Sequence, residues 1–141
     1  MSNKIVIGDA DSLIALAYQN DANHVRAQKI SEWLSSKEYE IIYPNTAILE
    51  AITALKRSLS LIAEAKLINK QYQAGAFAIE YVNRDIQQQA SQRFEKTISK
   101  KNTIFDCVVA ETAIELEADY IFSFDSWYPK EGFDLAEVRA E

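Results

Sequence analysis

Residues 104–125 read IFDCVVAETAIELEADYIFSFD, and this stretch decides the fold that we predict. Its first part repeats apolar or small residues every three or four positions, the period of a helix that packs on one side. The repeat consists of Phe105, Val109, Thr112 and Leu116. The polar turn at residues 117–119 then leads into residues 120–124 (YIFSF), which are typical of a strand. A helix that runs directly into a buried strand indicates a parallel sheet covered by helices.

The rest of the chain repeats this alternation. Short β-branched or aromatic runs predict strands at residues 4–8 (KIVIG), 40–43 (EIIY) and 77–82 (FAIEYV). Helical spacing lies between them, including a helix that Asn45 or Thr46 would cap and that extends to Leu59, then helices near residues 60–73 and 84–98. We therefore predict an α/β fold in which helices flank a parallel central sheet in three layers. Residues 1–141 are expected to form a single domain.

Charge and cysteine content restrict the function. The chain has 15 Lys and Arg against 21 Asp and Glu, a net charge of −6, which argues against a general nucleic-acid coat protein. It does not exclude a nucleic-acid enzyme that carries its positive charge as bound metal. The single Cys107 cannot form an internal disulfide and fits a reducing compartment, so we expect a cytoplasmic protein. Asp9 and Asp11 interrupt the apolar stretch at residues 5–18, so we expect no secretory signal and no membrane span.

Four acidic residues stand where predicted elements end or begin. Asp9 directly follows the first predicted strand, and Asp125 directly follows the fourth. Glu50 and Asp106 are expected in the first turns of helices that leave the same edge of the sheet. Each one alone has an ordinary explanation, either as a turn residue or as a complement to a helix dipole. Together they predict a site at the carboxyl ends of the strands, where such sheets bind ligands.

Carboxylates that converge in this way indicate a bound cation. Crowded carboxylates raise one another's pKa values unless a cation lies between them. Oxygen ligands select hard cations, so Mg²⁺ or Mn²⁺ is expected rather than zinc. Such a site suits phosphodiester hydrolysis, in which the metal activates a water and stabilises the charge on the leaving oxygen.

The same residues resemble a known family. Residues 6–16 (VIGDADSLIAL) resemble the opening strand and helix of PIN-domain nucleases, especially the VapC-type toxins of toxin–antitoxin pairs. Glu50 in AILEAITAL resembles the second acid of that family, and Asp106 and Asp125 within residues 104–125 resemble the third and fourth. The resemblance implies a PIN fold and a Mg²⁺- or Mn²⁺-dependent endoribonuclease. It also implies an RNA substrate, a small cognate antitoxin and a homodimer.

Carried over by position, the four acids would form the catalytic and metal-binding set. Asp9 and Asp106 would be direct ligands, while Glu50 and Asp125 would bind the metal or orient its water. Ser123, where the family often has Thr, would position Asp125 or a phosphate.

Three further residues are candidates for a role at the site: one departs from the pattern of the family, and two lie just before the helix of Asp106. Asp11 stands where Ser, Thr or Asn is commoner, and we predict that it caps the first helix, with an additional ligand as the alternative. Lys100 and Lys101 precede the helix of Asp106 and are candidates for RNA contact or for a solvated loop.

Two other functions fit parts of the sequence. Asp9-Ala-Asp11 after a strand matches the nucleophile and acid of haloacid-dehalogenase-like phosphatases, although Ser12 and the length of 141 residues weaken this interpretation. A catalytically silent PIN module that binds protein or RNA is the second alternative. The presence of all four acids argues against it.

Overall fold

The computed structural model describes residues 3–140, which alternate strands and helices. The strands are β1 (Ile5–Gly8), β2 (Glu40–Pro44), β3 (Ala78–Glu80) and β4 (Tyr120–Phe122). The helices are α1 (Ala10–Ala17), α2 (His24–Ser36), α3 (Asn45–Thr53), α4 (Ile62–Gln73), α5 (Arg84–Lys96), α6 (Ile104–Glu115) and α7 (Trp127–Lys130). A π-helical turn, Ala54–Ser58, continues α3. No helix in this part of the chain is both long and apolar enough to cross a membrane.

The sheet has the strand order β3-β2-β1-β4, and every pairing between these strands is parallel. Ile7 of β1 lies opposite Ile42 of β2 and Ile121 of β4. A parallel pair needs a long crossover between its strands, and helices supply it here. The predicted α/β fold with a parallel central sheet flanked by helices is therefore confirmed.

Alternation along the central strands divides the core between the two faces of the sheet. Val6 and Phe122 pack in one cluster with Leu34 of α2. Ile7 and Ile121, their neighbours in sequence, pack in another cluster with α5, α6 and α7. Successive side chains of a strand point to opposite faces. The three layers thus follow from β1 and β4 being apolar at every position.

Gly8 ends β1 at a point of close packing. A Cβ atom at this position would collide with the ring of Tyr43, which is buried at the end of β2. Glycine therefore lets the two strand ends lie side by side. The chain leaves β1 at the carboxyl edge of the sheet, where Asp9 begins the site.

Several predicted boundaries differ from the structure. β3 is shorter than residues 77–82, and β4 ends at Phe122 rather than Phe124. Neither Asn45 nor Thr46 caps α3, because α3 begins at Asn45 itself. The Asn45 side chain instead accepts a hydrogen bond from the Val82 N–H at 2.9 Å, which joins the start of α3 to the chain after β3.

The buried side of α6 also differs from the predicted repeat. Phe105 is 40% exposed, whereas Cys107, Val108 and Ala110 are buried. Because α6 packs against both α5 and the sheet, it buries more than one narrow stripe.

Candidate active site

A cleft of about 460 Å³ at the carboxyl edge of the sheet contains the predicted acids. We call it the acid cleft, and its carboxylates are Asp9, Asp11, Glu50, Asp106 and Asp125. The structure therefore brings together the four acids that the sequence grouped, and it adds Asp11 to the same lining. Their catalytic and metal-binding roles stay predictions.

Asp9 is the most buried of these acids, with 3% of its surface exposed. Its Oδ1 accepts a hydrogen bond from the Ala10 N–H at 2.7 Å, so Asp9 is the N-cap of α1. Its Oδ2 accepts a hydrogen bond at 2.6 Å from the hydroxyl of Tyr128, which is completely buried in α7. Both carboxylate oxygens of Asp9 are thus held in place.

One amide group joins Asp106 to Asp125. Asn102 Nδ2 donates to Asp106 Oδ2 at 3.1 Å and to Asp125 Oδ2 at 2.8 Å. Asn102 is itself buried, and its Oδ1 accepts a hydrogen bond from Ser99 Oγ at 2.6 Å. Asp106 lies in the first turn of α6, as predicted, and it also accepts a hydrogen bond from the Thr103 N–H at 3.0 Å. Two acids from separate segments are therefore fixed relative to each other.

The loop between β4 and Asp125 is fastened by Asp11. Asp11 Oδ2 accepts hydrogen bonds from Ser123 Oγ and from the Phe124 N–H, each at 2.8 Å. Ser123 Oγ in turn accepts a hydrogen bond from the Asp125 N–H at 3.1 Å. The prediction that Asp11 caps α1 is wrong, because Asp9 holds that position. Asp125 does not directly follow β4 either, since this loop separates the two.

Glu50 reaches the acid cleft from the opposite side. It is the sixth residue of α3, so it lies in the second turn rather than the predicted first turn. No hydrogen bond to its side chain occurs among residues 3–140. Glu50 is thus the one acid of the predicted four that has no local partner in the described chain.

Burial and mutual repulsion raise the pKa values of Asp9 and Glu50. The pKa of Asp9 lies well above its usual value, first because of burial and then because of the charges on Asp11 and Asp106. The hydrogen bond from Tyr128 offsets part of this increase. The pKa of Glu50 is raised to about 7 by burial and by the charges on Asp106 and Asp11. Without a cation, the acid cleft therefore opposes full ionisation of its own carboxylates.

Hydrogen bonds moderate the same effect at Asp11 and Asp106. Burial raises the pKa of each, while donors from Phe124 and Ser123 act against it at Asp11 and donors from Thr103 and Asn102 act against it at Asp106.

Of the two predicted RNA contacts, one lies at the acid cleft. Lys101 Nζ is 3.8 Å from Asp125 Oδ1, and its side chain is 77% exposed. Lys101 lines the acid cleft, where its charge also lowers the pKa of Asp106. Lys100 is exposed but does not line this cleft.

The chemistry of the donors fits a hard cation. The donors are carboxylate oxygens, and Asp11 Oδ1 is buried without a hydrogen-bond partner. Within residues 3–140, however, no three Asp, Glu, His or Cys side chains already stand close enough to hold one ion together. Binding therefore requires the carboxylates to draw closer, and Glu50 has the fewest contacts to break.

Two residues that organise the acid cleft were not assigned a role from the sequence. Tyr128 donates a hydrogen bond to Asp9, which lies 119 positions earlier in the sequence, and no local pattern in residues 127–130 indicates this contact. Asn102 stood beside the candidate Lys101, but its two acidic partners depend on how the loops meet.

Comparison with known proteins identifies the family that has this fold. The chain matches the family model for the PIN domain over residues 8–130. It is similar to the crystal structure of VapC20 from Mycobacterium tuberculosis, described as a toxin that cleaves the sarcin–ricin loop, with a TM-score of 0.83 and 18% identity over 94% of this chain and 99% of that one. No curated protein sequence matches significantly. The family predicted from the sequence is confirmed by the extent of the model match: this chain belongs to the PIN domain family.

Proposed function

We propose that the chain is a metal-dependent endoribonuclease that hydrolyses RNA phosphodiester bonds, and that it is the toxin of a toxin–antitoxin pair. The observation that carries the proposal is the convergence of Asp9, Glu50, Asp106 and Asp125 on one cleft. The structural likeness to VapC20, described as a toxin that cleaves the sarcin–ricin loop, supports both parts.

The carboxylates of the acid cleft would hold Mg²⁺ or Mn²⁺. Asp9 and Asp106 would be direct ligands, and Glu50 and Asp125 would complete the set directly or through water. When bound, the cation supplies an activated water and stabilises charge on the scissile phosphate and leaving oxygen.

The chain's own residues then orient these ligands. Tyr128 holds one oxygen of Asp9, and Asn102 fixes Asp106 relative to Asp125. Partners that hydrogen-bond to metal ligands orient them and commonly affect metal affinity or activity by about 10- to 100-fold. Lys101 stands at the edge of the cleft, where its exposed ammonium group is within reach of a substrate phosphate.

The two alternative functions receive no support from the comparisons. The chain matches the PIN domain model over residues 8–130, which leaves the phosphatase interpretation without support. A silent interaction module has no need for an acid cleft of this composition.

Several broader features are part of the same proposal. We infer that residues 1–141 form a single domain, that the protein acts in the cytoplasm as a homodimer, and that a small antitoxin inhibits it.

Cleavage of RNA by the purified protein, free of any antitoxin, tests the proposed chemistry. We expect single-stranded RNA to be cut with Mg²⁺ or Mn²⁺ and left intact in EDTA. Asp9→Asn and Asp106→Asn are expected to abolish cleavage, while Asp85→Asn, an acid of α5 outside the acid cleft, is the matched control. Circular dichroism checks that each variant is folded. Cleavage that continues unchanged in EDTA would refute the metal dependence.

Growth after induced expression tests the toxin assignment separately. The unmodified chain is expected to arrest growth, and Asp106→Asn is expected not to. Equal growth of both strains, at equal protein levels, would remove the toxin assignment and leave the nuclease proposal to the cleavage assay.

A further inference from the structure

A second cleft, of about 570 Å³, opens beside the acid cleft. We call it the lysine cleft because Lys96, Lys101 and Lys130 line it. It shares Lys101 and Asp125 with the acid cleft, so the two clefts adjoin at these residues. We propose that the lysine cleft binds RNA nucleotides beyond the two that are joined by the bond cut in the acid cleft, an inference that rests on the proposed function.

The charge of the lysine cleft is opposite to that of the chain as a whole. Three lysines meet here although the chain carries a net charge of −6. Of the carboxylates that line it, Glu131 is engaged by Arg93 Nη1 at 3.2 Å, and Asp125 is engaged by Lys101 and Asn102. No carboxylate among the described residues pairs with Lys96 or Lys130. Their charges are therefore available to a phosphate.

The lysine cleft also offers apolar surface. Ile98 lines it with 98% of its surface exposed, and the nearly buried Trp127 forms another part of its wall. An unstacked RNA base that packs its flat face on Ile98 would remove this apolar surface from water. The volume lies within the range of about 300–1,000 Å³ that is typical of sites for small molecules.

RNA fits this combination better than an acidic protein segment does. Each nucleotide pairs one phosphate with one flat base, which matches a cleft lined by both lysines and an exposed isoleucine. A strand bound there continues past Lys101 into the acid cleft without leaving the surface. A peptide of acidic residues only would pair with the lysines and leave the apolar surface of Ile98 uncovered.

A double variant of the two unpaired lysines tests the proposal. Lys96→Ala/Lys130→Ala leaves Lys101 and every acid of the acid cleft in place. Lys66→Ala/Lys70→Ala on α4 removes the same charge from exposed positions that line neither cleft. Cleavage is compared on a single-stranded RNA of about 12 nucleotides, within the site size of a small binding domain, and on a dinucleotide.

The expected result depends on substrate length. On the longer RNA, the Lys96/Lys130 variant should raise KM about tenfold with kcat unchanged, since it removes contacts that bind without reacting. Its slope of log kcat/KM against log salt should become shallower by about 1.4, or about 0.7 for each lost phosphate contact to a single strand. Cleavage of the dinucleotide should not change. An equal loss in the Lys66/Lys70 variant, or an equal loss on the dinucleotide, would overturn the proposal.

Binding without cleavage separates this inference from the proposed function. In EDTA, fluorescence anisotropy of the labelled RNA should show weaker binding to the Lys96/Lys130 variant than to the unmodified chain or the α4 control. If RNA is bound in this way but never cut, the lysine cleft stands and the nuclease proposal fails. If the double variant binds RNA normally, the inference fails whatever the cleavage assay gives. A polyglutamate peptide that competes as well as RNA would assign the cleft to an acidic protein partner instead.

Discussion

The two sides of the acid cleft hold their carboxylates in different ways. On the side formed by the sheet and α6, which we call the tied side, Asp9, Asp106 and Asp125 each accept hydrogen bonds from the protein. On the side formed by α3, Glu50 accepts none among the described residues, and the π-helical turn begins four residues later. Asn102 and Tyr128, both buried, supply hydrogen bonds of the tied side.

This difference separates two requirements of an ion site. Fixed ligands cost little reorganisation when an ion binds, whereas a free carboxylate adjusts to complete the coordination. The acids of the acid cleft are not yet close enough to hold an ion. We therefore infer that the carboxylates draw closer when an ion binds and that Glu50, which has no hydrogen bond to break in the described chain, moves most.

Removing the amide that two acids share should cause the largest change on the tied side. Asn102→Ala leaves Asp106 and Asp125 to repel each other without a common donor. We expect kcat/KM for RNA to fall about 100-fold, the upper end of the range for groups that orient metal ligands. Ser99→Ala, which removes only the partner of Asn102 Oδ1, is the matched control and should lose far less. Equal losses in the two variants would mean that the loop, not the shared amide, matters.

Removing the hydroxyl that holds Asp9 should have a smaller effect, because Tyr128 serves one acid only. We expect Tyr128→Phe to weaken Mn²⁺ affinity about tenfold, the lower end of the same range. Isothermal titration calorimetry measures this affinity directly. Tyr120→Phe is the control, since Tyr120 begins β4 at the opposite edge of the sheet. Unchanged Mn²⁺ affinity in Tyr128→Phe would show that Asp9 needs no support from α7.

The side formed by α3, which carries Glu50, should respond to pH rather than to a lost hydrogen bond. Glu50, with a pKa of about 7 in the metal-free protein, must lose its proton before it can act as a ligand. Its contribution should strengthen Mn²⁺ affinity about fourfold between about pH 6.5 and pH 8, because metal affinity rises as a ligand is deprotonated. Glu50→Gln should lack this part of the pH dependence, while the parts due to Asp9 and Asp106 remain. Identical pH profiles of the two proteins would exclude Glu50 from the ion site.

The residues of the two sides also differ in how far the sequence predicts them. Asp9 and Asp106 were placed correctly because each lies beside a local signal, the end of an apolar strand and the start of a helix. Glu50 was placed one turn too early, since α3 begins at Asn45 without a side-chain cap. The error matters because the second turn brings Glu50 close to the π-helical turn.

The residues that hold the acids of the tied side, Tyr128 and Asn102, could not be predicted from the sequence. Tyr128 donates to Asp9 from a short helix at the far end of the chain, and Asn102 meets Asp125 across 23 positions. Such contacts depend on where loops lie in the finished fold, and no spacing rule encodes that. Asp11 shows the same limit, because its position after a strand suggested a cap while its side chain binds the loop that follows β4.

The smallest expected effect concerns the stability of the metal-free protein. The folded state raises the pKa of Glu50 from 4.5 to about 7, so folding favours the protonated form. The protonated form of Glu50 contributes its full stabilisation of the folded state below about pH 4.5, and this stabilisation is lost as the pH rises through about 7. Glu50→Gln keeps a neutral side chain, so in EDTA at pH 8 it should be more stable than the unmodified chain. Because Glu50 is partly exposed, we expect only about 1 kcal/mol, or about 3–5 °C in Tm.

The direction of this change should reverse when metal is added. At pH 8 with saturating Mn²⁺, the unmodified chain gains more stability than Glu50→Gln, because a tighter-binding ion stabilises the folded state more by mass action. Differential scanning calorimetry at pH 4.5 and pH 8, with and without Mn²⁺, measures all four conditions. Glu95→Gln, which removes an exposed charge on α5, should show neither the gain in EDTA nor the reversal. If Glu50→Gln is no more stable than the unmodified chain in EDTA at pH 8, then the cost of burying a charged Glu50 beside other carboxylates is not what the ion relieves.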